Sequence, residues 1–488
     1  MFRKRIEDTV ATLYNLPHLH LIVLALITIL ATGLRFFKLG DWSLWIDEIF
    51  TINHAMKHFS TPALILENTP PARNWIPLSV ILNAQVLNYL DITPFNARLV
   101  AALIGIITVP VMYFLVRKLF DSKVALIAVL LLAFSTWHIE WSQNARFYTS
   151  LLLFYTLALF FFYYGIERDR PLHLVIFLVL TYLAASERLV AMFIIPIALL
   201  YLVLLKILPF EKPPGLRRRN VLLTLLPVFA GILIEIISYS FDGTFRVLGG
   251  FDWFTLYQLE SPLKLLLFIG YDIGIPLICF SLFSGIYLVA KKSRIGLLLL
   301  VSGIVPILLL MALNPFLFTL SRYAFITLSS WLILTAVGIR EIFSSTMGHG
   351  RIIAVGILLL FVADAAGAGL VYFRVNNGNR LDWERAFSYA QERRQPEDEV
   401  VTSWPQWEGF YWDKKIVSWE GVTPETVEKG TKRHWFILDN EIIWGNPKMK
   451  AWIEQNAELV DILSLRRENE YYLKIYLYDP ARKMDPAD

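Results

Sequence analysis

The chain has 488 residues, 56% of them hydrophobic and only 18% charged, with a formal net charge of +4. Soluble domains carry about a quarter charged residues, so this composition excludes an ordinary soluble enzyme, a disordered chain and a collagen-like fibre, and it points to a membrane protein. The small net charge gives no reason to expect a nucleic-acid partner, and a single cysteine, Cys279, excludes an internal disulfide framework.

Apolar runs of roughly 20 residues are long enough to cross a bilayer. They predict spans near 20–37, 99–116, 122–137, 147–166, 171–186, 189–208, 220–240, 263–290, 295–313, 323–341 and 352–373, about eleven in all. The runs 122–137 and 171–186 are short. Residues 38–97 form the first long loop. Within it, 75–90 is apolar but carries Asn83, Gln85 and Asn88, which predicts a helix lying at the membrane interface. The first run could be a signal peptide; an uncleaved anchor is preferred, because the chain's most unusual loop follows it directly.

Basic residues set the expected orientation. Arg3, Lys4 and Arg5 precede the first run, and later clusters lie at Arg117/Lys118/Lys123, Arg168/Arg170, Lys206/Lys212/Arg217/Arg218/Arg219, Lys291/Lys292/Arg294 and Arg340/Arg351. These fall on alternate connections if the first long loop returns to the side it left. The N-terminus is then cytoplasmic and the C-terminus outside. Residues 1–373 are therefore expected as a multi-span α-helical membrane domain. Residues 374–488, charged and rich in Trp and Tyr, are expected as a soluble extracytoplasmic α/β domain. Its strands are predicted at 399–404, 415–419, 434–439 and 471–478, and its helices at 382–394 and 449–459.

The outer connections differ in kind from the inner ones. They carry aromatics, carboxylates and single arginines: Trp42, Trp45, Asp47 and Glu48; Arg98; His138, Glu140, Trp141, Gln143, Arg146 and Tyr148; Glu187 and Arg188; Arg246 and Asp252; Arg322 and Tyr323. Glu235, Asp272 and Asp364 fall in the outer halves of their spans. Charges are costly in lipid and are retained for a partner or a polar cavity. Headgroup anchoring accounts for the aromatics and some arginines but poorly for carboxylates, so a polar chamber at the outer face is expected.

Four segments carry the chemistry. GDWSLWIDEIFTINHA (40–55) puts Asp47 and Glu48 in an apolar, aromatic setting where a partly desolvated carboxylate can take a proton from a hydroxyl; the plain alternative is an acid pair at a helix N-terminus. HIEWSQNARFYTS (138–150) sets Arg146 beside Gln143 and Tyr148, donors suited to a phosphate; the alternative is an arginine reaching from the interface to water. Arg98 and Arg322 begin two further spans on the same expected face.

The order W-x-D-E after the first span, a Pro-Pro pair, A-R-L-x-x-A-L-I-G, W-S-Q-N-A-R-F-Y and S-R-Y resembles the GT-C membrane glycosyltransferases. The resemblance is nearest to prokaryotic relatives of the dolichyl-phosphate-mannose protein mannosyltransferases and to the aminoarabinose transferases that modify lipid A. It covers about residues 20–190. It implies a GT-C fold, a sugar donor carried on polyprenyl phosphate at the outer leaflet of the cytoplasmic membrane, and inversion at the anomeric carbon. Asp47 matches the acidic residue expected as general base, with Glu48 its neighbour. Arg98 and Arg146 match arginines near the donor phosphate, to which Arg322, Gln143 and Tyr148 are added. Trp45, Glu140, Glu187, Arg188 and Tyr323 are assigned to the surrounding substrate chamber.

The acceptor could be a glycan, a lipid or a protein. Thr69-Pro70-Pro71 stands where many relatives have His-Pro-Pro, and Glu187-Arg188 where many have Thr-His. No Asp-x-Asp occurs in the membrane half, so no metal is predicted, although Glu48, Glu140 and Glu187 could hold a divalent ion. The competing readings are a transporter or flippase of a lipid-linked or anionic cargo and a non-catalytic anchor. The first is disfavoured by the absence of recognisable repeats, the second by the outer carboxylates.

Overall fold

The computed structural model describes residues 18–60, 77–226, 261–316, 319–345, 349–402, 404–439, 446–464 and 472–482. Arg3, Lys4, Arg5, the Pro70-Pro71 pair, Glu235, Arg246, Asp252 and most of the expected 220–240 span lie outside the described residues. The chain divides into two compact units. One comprises 1–37, 66–82 and 100–367; the other comprises 38–65, 83–99 and 368–488. Most of the loop expected to belong with the spans, 38–65 and 83–97, thus forms one unit with the C-terminal region, while 66–82 stays with the spans.

The helices in chain order are α1 (Leu19–Phe36), α2 (Ile46–Ser60), α3 (Leu78–Tyr89), α4 (Pro94–Leu119), α5 (Ser122–Phe134), α6 (Thr136–Ser142), α7 (Tyr148–Glu167), α8 (Pro171–Glu187), α9 (Ile194–Ile207), α10 (Pro262–Ile273), α11 (Ile275–Ala290), α12 (Arg294–Leu313), α13 (Leu328–Phe343) and α14 (Gly350–Arg374). Short 3-10 turns, Leu189–Phe193 and Ser321–Thr327, lead into α9 and α13. Seven helices are long and apolar enough to cross a membrane, and nine if each bent pair counts as one span. The expected count of eleven is therefore not reached among the described residues: 171–186 forms a 17-residue apolar helix, α8, and 220–240 is mostly undescribed. The interfacial stretch is helical as α3.

Two expected spans are broken. α5 and α6 meet at 62°, and α10 and α11 at 89°. The second break sits on Gly274 at φ +100°, a conformation side chains disfavour; Asp272 lies two residues before it, and Asp364 approaches the same glycine. The first break sits on Ser135, whose Oγ accepts from the His138 N–H. It exposes the last carbonyls of α5, which need outside donors. Arg35, fully buried in α1, supplies them, donating to Leu132 O and Ala133 O at 3.2 Å and to His138 Nδ1 at 2.8 Å. Gln143 does the converse, donating through Nε2 to Arg35 O at 3.0 Å and Phe37 O at 2.7 Å, at the end of α1. The end of α5 is closed by a residue of α1, and the end of α1 by the residue that follows α6.

Elsewhere in this unit, helices pack through small residues and hydroxyls, as expected where lipid supplies no hydrophobic drive between helices. Thr156 bonds Ser329 at 3.0 Å, Ser302 bonds Ser330 at 2.8 Å and Ser281 bonds Thr335 at 2.7 Å. Gly338 of α13 lies so close to Ser284 of α11 that a Cβ there would collide with its hydroxyl.

In the other unit, the C-terminal part is a mixed five-stranded sheet of β1 (Glu399–Thr402), β2 (Ile416–Ser418), β3 (His434–Asp439), β4 (Glu458–Ser464) and β5 (Tyr472–Tyr478), in the order β2-β1-β3-β5-β4. β1 runs parallel to β2 and β3, while β5 is antiparallel to β3 and β4. α15 (Trp383–Arg393), capped by Asp382, buries Trp383, Ala386, Phe387 and Ala390, one stripe at helical spacing. The short α16 (Pro424–Glu428) follows β2, and α17 (Pro447–Asn456) precedes β4. Val401, Phe436, Leu438, Met449 and Ile453 share one core. The four expected strands form. The helix expected over 449–459 ends at Asn456, because the segment from Glu458 pairs with β5 as an edge strand.

Candidate active site

The first-loop carboxylates lie in the first turn of α2, where the helix dipole favours negative charge. Asp47 is half-buried, Glu48 is fully buried, and the two therefore differ in kind. Arg98 Nε and Nη2 hold the two Glu48 oxygens at 2.8 Å each, as a bidentate pair. The remaining Arg98 donors go to Leu39 O and Trp42 O at 3.0 Å and Ser43 O at 2.9 Å. All five guanidinium N–H groups are thus accounted for.

Arg98, expected at the donor phosphate, is 0% exposed, and its donors serve Glu48 and the loop that precedes α2. Glu48, expected beside the base, has both oxygens on Arg98. Trp45, half-buried, donates its backbone N–H to Glu48 Oε2 at 3.3 Å.

Residues far along the chain complete this region, and the sequence reading did not single them out. Arg380 Nε lies 3.6 Å from Glu48 Oε2. Ser43 Oγ donates to Leu381 O at 3.0 Å, and Leu44 N–H donates to Tyr411 Oη at 2.6 Å. Burial pushes the Tyr411 hydroxyl well above its ordinary pKa, so it stays protonated. Gly378, at φ +64°, lies against the Trp42 ring where a Cβ would collide. The only signal in the sequence was the Gly-Asn-Arg-Leu-Asp-Trp turn (378–383) directly after the last apolar run.

In the membrane unit, three arginines emerge from interruptions between helices. Arg146 lies in the turn between α6 and α7, Arg188 at the break after α8, and Arg322 in the 3-10 turn before α13. Irregular backbone at such depth is tolerated where it lines a cavity or is covered by protein. The Tyr148 ring lies 4.5 Å from Phe147 and 6.3 Å from Phe325, which belongs to the same 3-10 turn as Arg322. Arg188 Nη2 donates to Tyr323 Oη at 2.7 Å. Its guanidinium also lies over Tyr323 at 5.2 Å and Phe147 at 5.7 Å, while Arg146 lies over Phe147 at 4.8 Å. All three arginines are half-buried. Arg188 and Tyr323, expected as chamber lining, therefore join Arg146, Arg322 and Tyr148 in one cationic, aromatic cluster suited to an anion.

Gln143, expected at the phosphate, is fully buried, and its Nε2 closes the end of α1. Glu187 is 3% exposed, and its oxygens accept from Ser79 N at 3.0 Å and Ser79 Oγ at 2.5 Å, pinning the start of α3. Glu140 is half-buried on α6. Glu48, Glu140 and Glu187 form no common coordination set: no group of three His, Cys, Asp or Glu suited to a metal occurs among the described residues.

The spanning helices and the C-terminal sheet have a GT-C type of fold, shared with solved structures. Residues 77–231 match the family model described as dolichyl-phosphate-mannose-protein mannosyltransferase. ArnT from Cupriavidus metallidurans, bound to undecaprenyl phosphate, is 13% identical and superposes over 92% of this chain and 97% of its own with a TM-score of 0.55. The oligosaccharyltransferase of Archaeoglobus fulgidus in its apo form is 13% identical over 92% of this chain and 74% of its own, with a TM-score of 0.53. The Archaeoglobus fulgidus AglB complex with an inhibitory peptide and a dolichol-phosphate is 14% identical over 93% and 74%, with a TM-score of 0.51. No curated protein matches the sequence.

Proposed function

We propose that this protein is an inverting glycosyltransferase that moves a sugar from a polyprenyl-phosphate donor to an acceptor hydroxyl at the outer face of the cytoplasmic membrane, with its N-terminus cytoplasmic and its C-terminal domain outside. The observation that carries this reading is the packing of Arg146 and Arg188 over Phe147, with Arg188 on Tyr323 Oη and with Tyr148 and the turn that carries Arg322 beside them, in a fold whose solved relatives include complexes with undecaprenyl phosphate and dolichol-phosphate.

Asp47 takes the proton from the acceptor hydroxyl as that oxygen attacks C1. The bond from C1 to the phosphate oxygen breaks, its electrons pass to the leaving polyprenyl phosphate, and a single displacement inverts the anomeric centre. The arginine cluster stabilises the charge that develops on the phosphate. A phosphate leaves without a strong acid to protonate it. Of the two adjacent carboxylates, Asp47 is preferred as base because Arg98 holds both oxygens of Glu48.

The test is release of free polyprenyl phosphate from a panel of polyprenyl-phosphate sugars by protein in nanodiscs, with Asp47→Asn alongside. Turnover of one donor is expected. It should fall by roughly 10²–10⁴-fold in the variant, with the melting temperature unchanged. Near-normal turnover in Asp47→Asn would remove the base assignment. Failure of every donor to bind would overturn the reading in favour of a transporter.

A further inference from the structure

We propose that Arg380, at the head of the C-terminal domain, is a positioning residue for the first-loop carboxylates, so that this domain is a working part of the catalytic apparatus and not an appended module. The proposal rests on Asp47 as base, and it assigns the C-terminal domain a task.

Glu48 has a complete bidentate partner in Arg98, at 2.8 Å to each oxygen. A second guanidinium, Arg380, is buried to 3% exposure with Nε 3.6 Å from Glu48 Oε2. A buried guanidinium is a costly way to achieve simple anchoring. Anchoring is supplied by neutral contacts: Ser43 Oγ to Leu381 O, Leu44 N–H to Tyr411 Oη, Trp42 on Tyr372 at 5.2 Å and on Phe373 at 5.9 Å, and Phe50 on Trp404 at 5.9 Å.

What the extra cation adds is direction. Arg98 approaches Glu48 from α4 and Arg380 from the segment before α15, so the carboxylate is held from two separate elements. Arg380 is itself fixed, with Nη1 on Gly378 O at 3.2 Å and the guanidinium over the Trp42 ring at 5.7 Å. A carboxylate clamped from two sides fixes the rotation of the first turn of α2. Asp47, the next residue, inherits its direction from that turn. A general base must be held closely, since a misplacement of about 1 Å can cost roughly 100-fold in rate.

The experiment compares full-length protein in nanodiscs carrying Arg380→Gln, Arg380→Lys or, as a control in the same domain, the exposed Arg385→Gln. Two readouts are taken: hydrogen exchange in peptides covering 42–55, and initial rates against donor concentration. Arg380→Gln should speed exchange in 42–55 by about ten-fold and leave the membrane helices unchanged. It should lower kcat by roughly 10- to 100-fold, with the donor KM within about two-fold. Arg380→Lys, which keeps the charge, should recover part of both, and Arg385→Gln should match wild type.

Unchanged exchange in 42–55 overturns the proposal, as does a loss confined to KM. Should Arg380→Gln fail to assemble, Arg380→Lys carries the test through the same kcat and exchange readouts. If wild type turns over no donor, the base reading of Asp47 fails instead, and the exchange arm still decides whether Arg380 holds the loop.

Discussion

Two settings for arginine occur in this molecule. Arg98 is fully buried, and its five donors go to one carboxylate and three backbone carbonyls. Arg146, Arg188 and Arg322 are half-buried, lie in turns and cluster with aromatic rings and a tyrosine hydroxyl. Under the proposed function the same side chain is a rivet in one region and an anion receptor in the other. What separates the two in the structure is burial and setting: full burial among carbonyls and a carboxylate, against half-burial among aromatic rings.

The sharpest way to break this contrast is to remove each kind. Arg98→Met should leave Glu48 buried beside a lost partner and cost about 3–5 kcal/mol, seen as a large drop in melting temperature and in recovered folded protein; a stable, active variant would undo the structural assignment. Arg188→Ala should act in the opposite register, slowing transfer by roughly 10²–10³-fold with little change in melting temperature. A stability loss as large as that of Arg98→Met would place it among the rivets. Tyr411→Phe leaves the Leu44 N–H without its acceptor and should cost about 1–3 kcal/mol, measured by the same melt.

The smallest effect lies in the sheet. Burial lowers the pKa of His434, although Glu399 opposes this. The folded state thus prefers the neutral ring, and its contribution to stability is complete above the unfolded value near 6.5 and is lost as pH falls below it. The melting temperature should decline slightly more between pH 7 and 5.5 in wild type than in His434→Gln; equal slopes would exclude this contribution.

Much of the architecture was legible because its signals are local. Apolar run length marked most of the spans, and short stretches rich in β-branched and aromatic residues marked β1, β2, β3 and β5. The breaks at Ser135 and Gly274 were not legible, since an apolar run reads alike whether straight or bent. β4 was missed because a short segment next to a helix takes its state from a distant strand.

The site was legible by residue type but not by partner. Asp47, Glu48 and the arginines stood out, yet an arginine at a span end reads the same whether it faces a phosphate or a carboxylate fifty residues away. Gln143 misled for the same reason, since the helix end it closes lies more than a hundred residues earlier in the chain.

The hydrogen bond from Ser43 to Leu381 joins residues 338 positions apart. A ribosome adds about 5–20 residues per second, so tens of seconds separate the synthesis of the first loop from that of its support. During that interval the α2 segment already stands beside the membrane while the chain that braces it does not yet exist. Completion of the first loop's contacts is therefore a late event in biogenesis, delayed until the last part of the chain has been made.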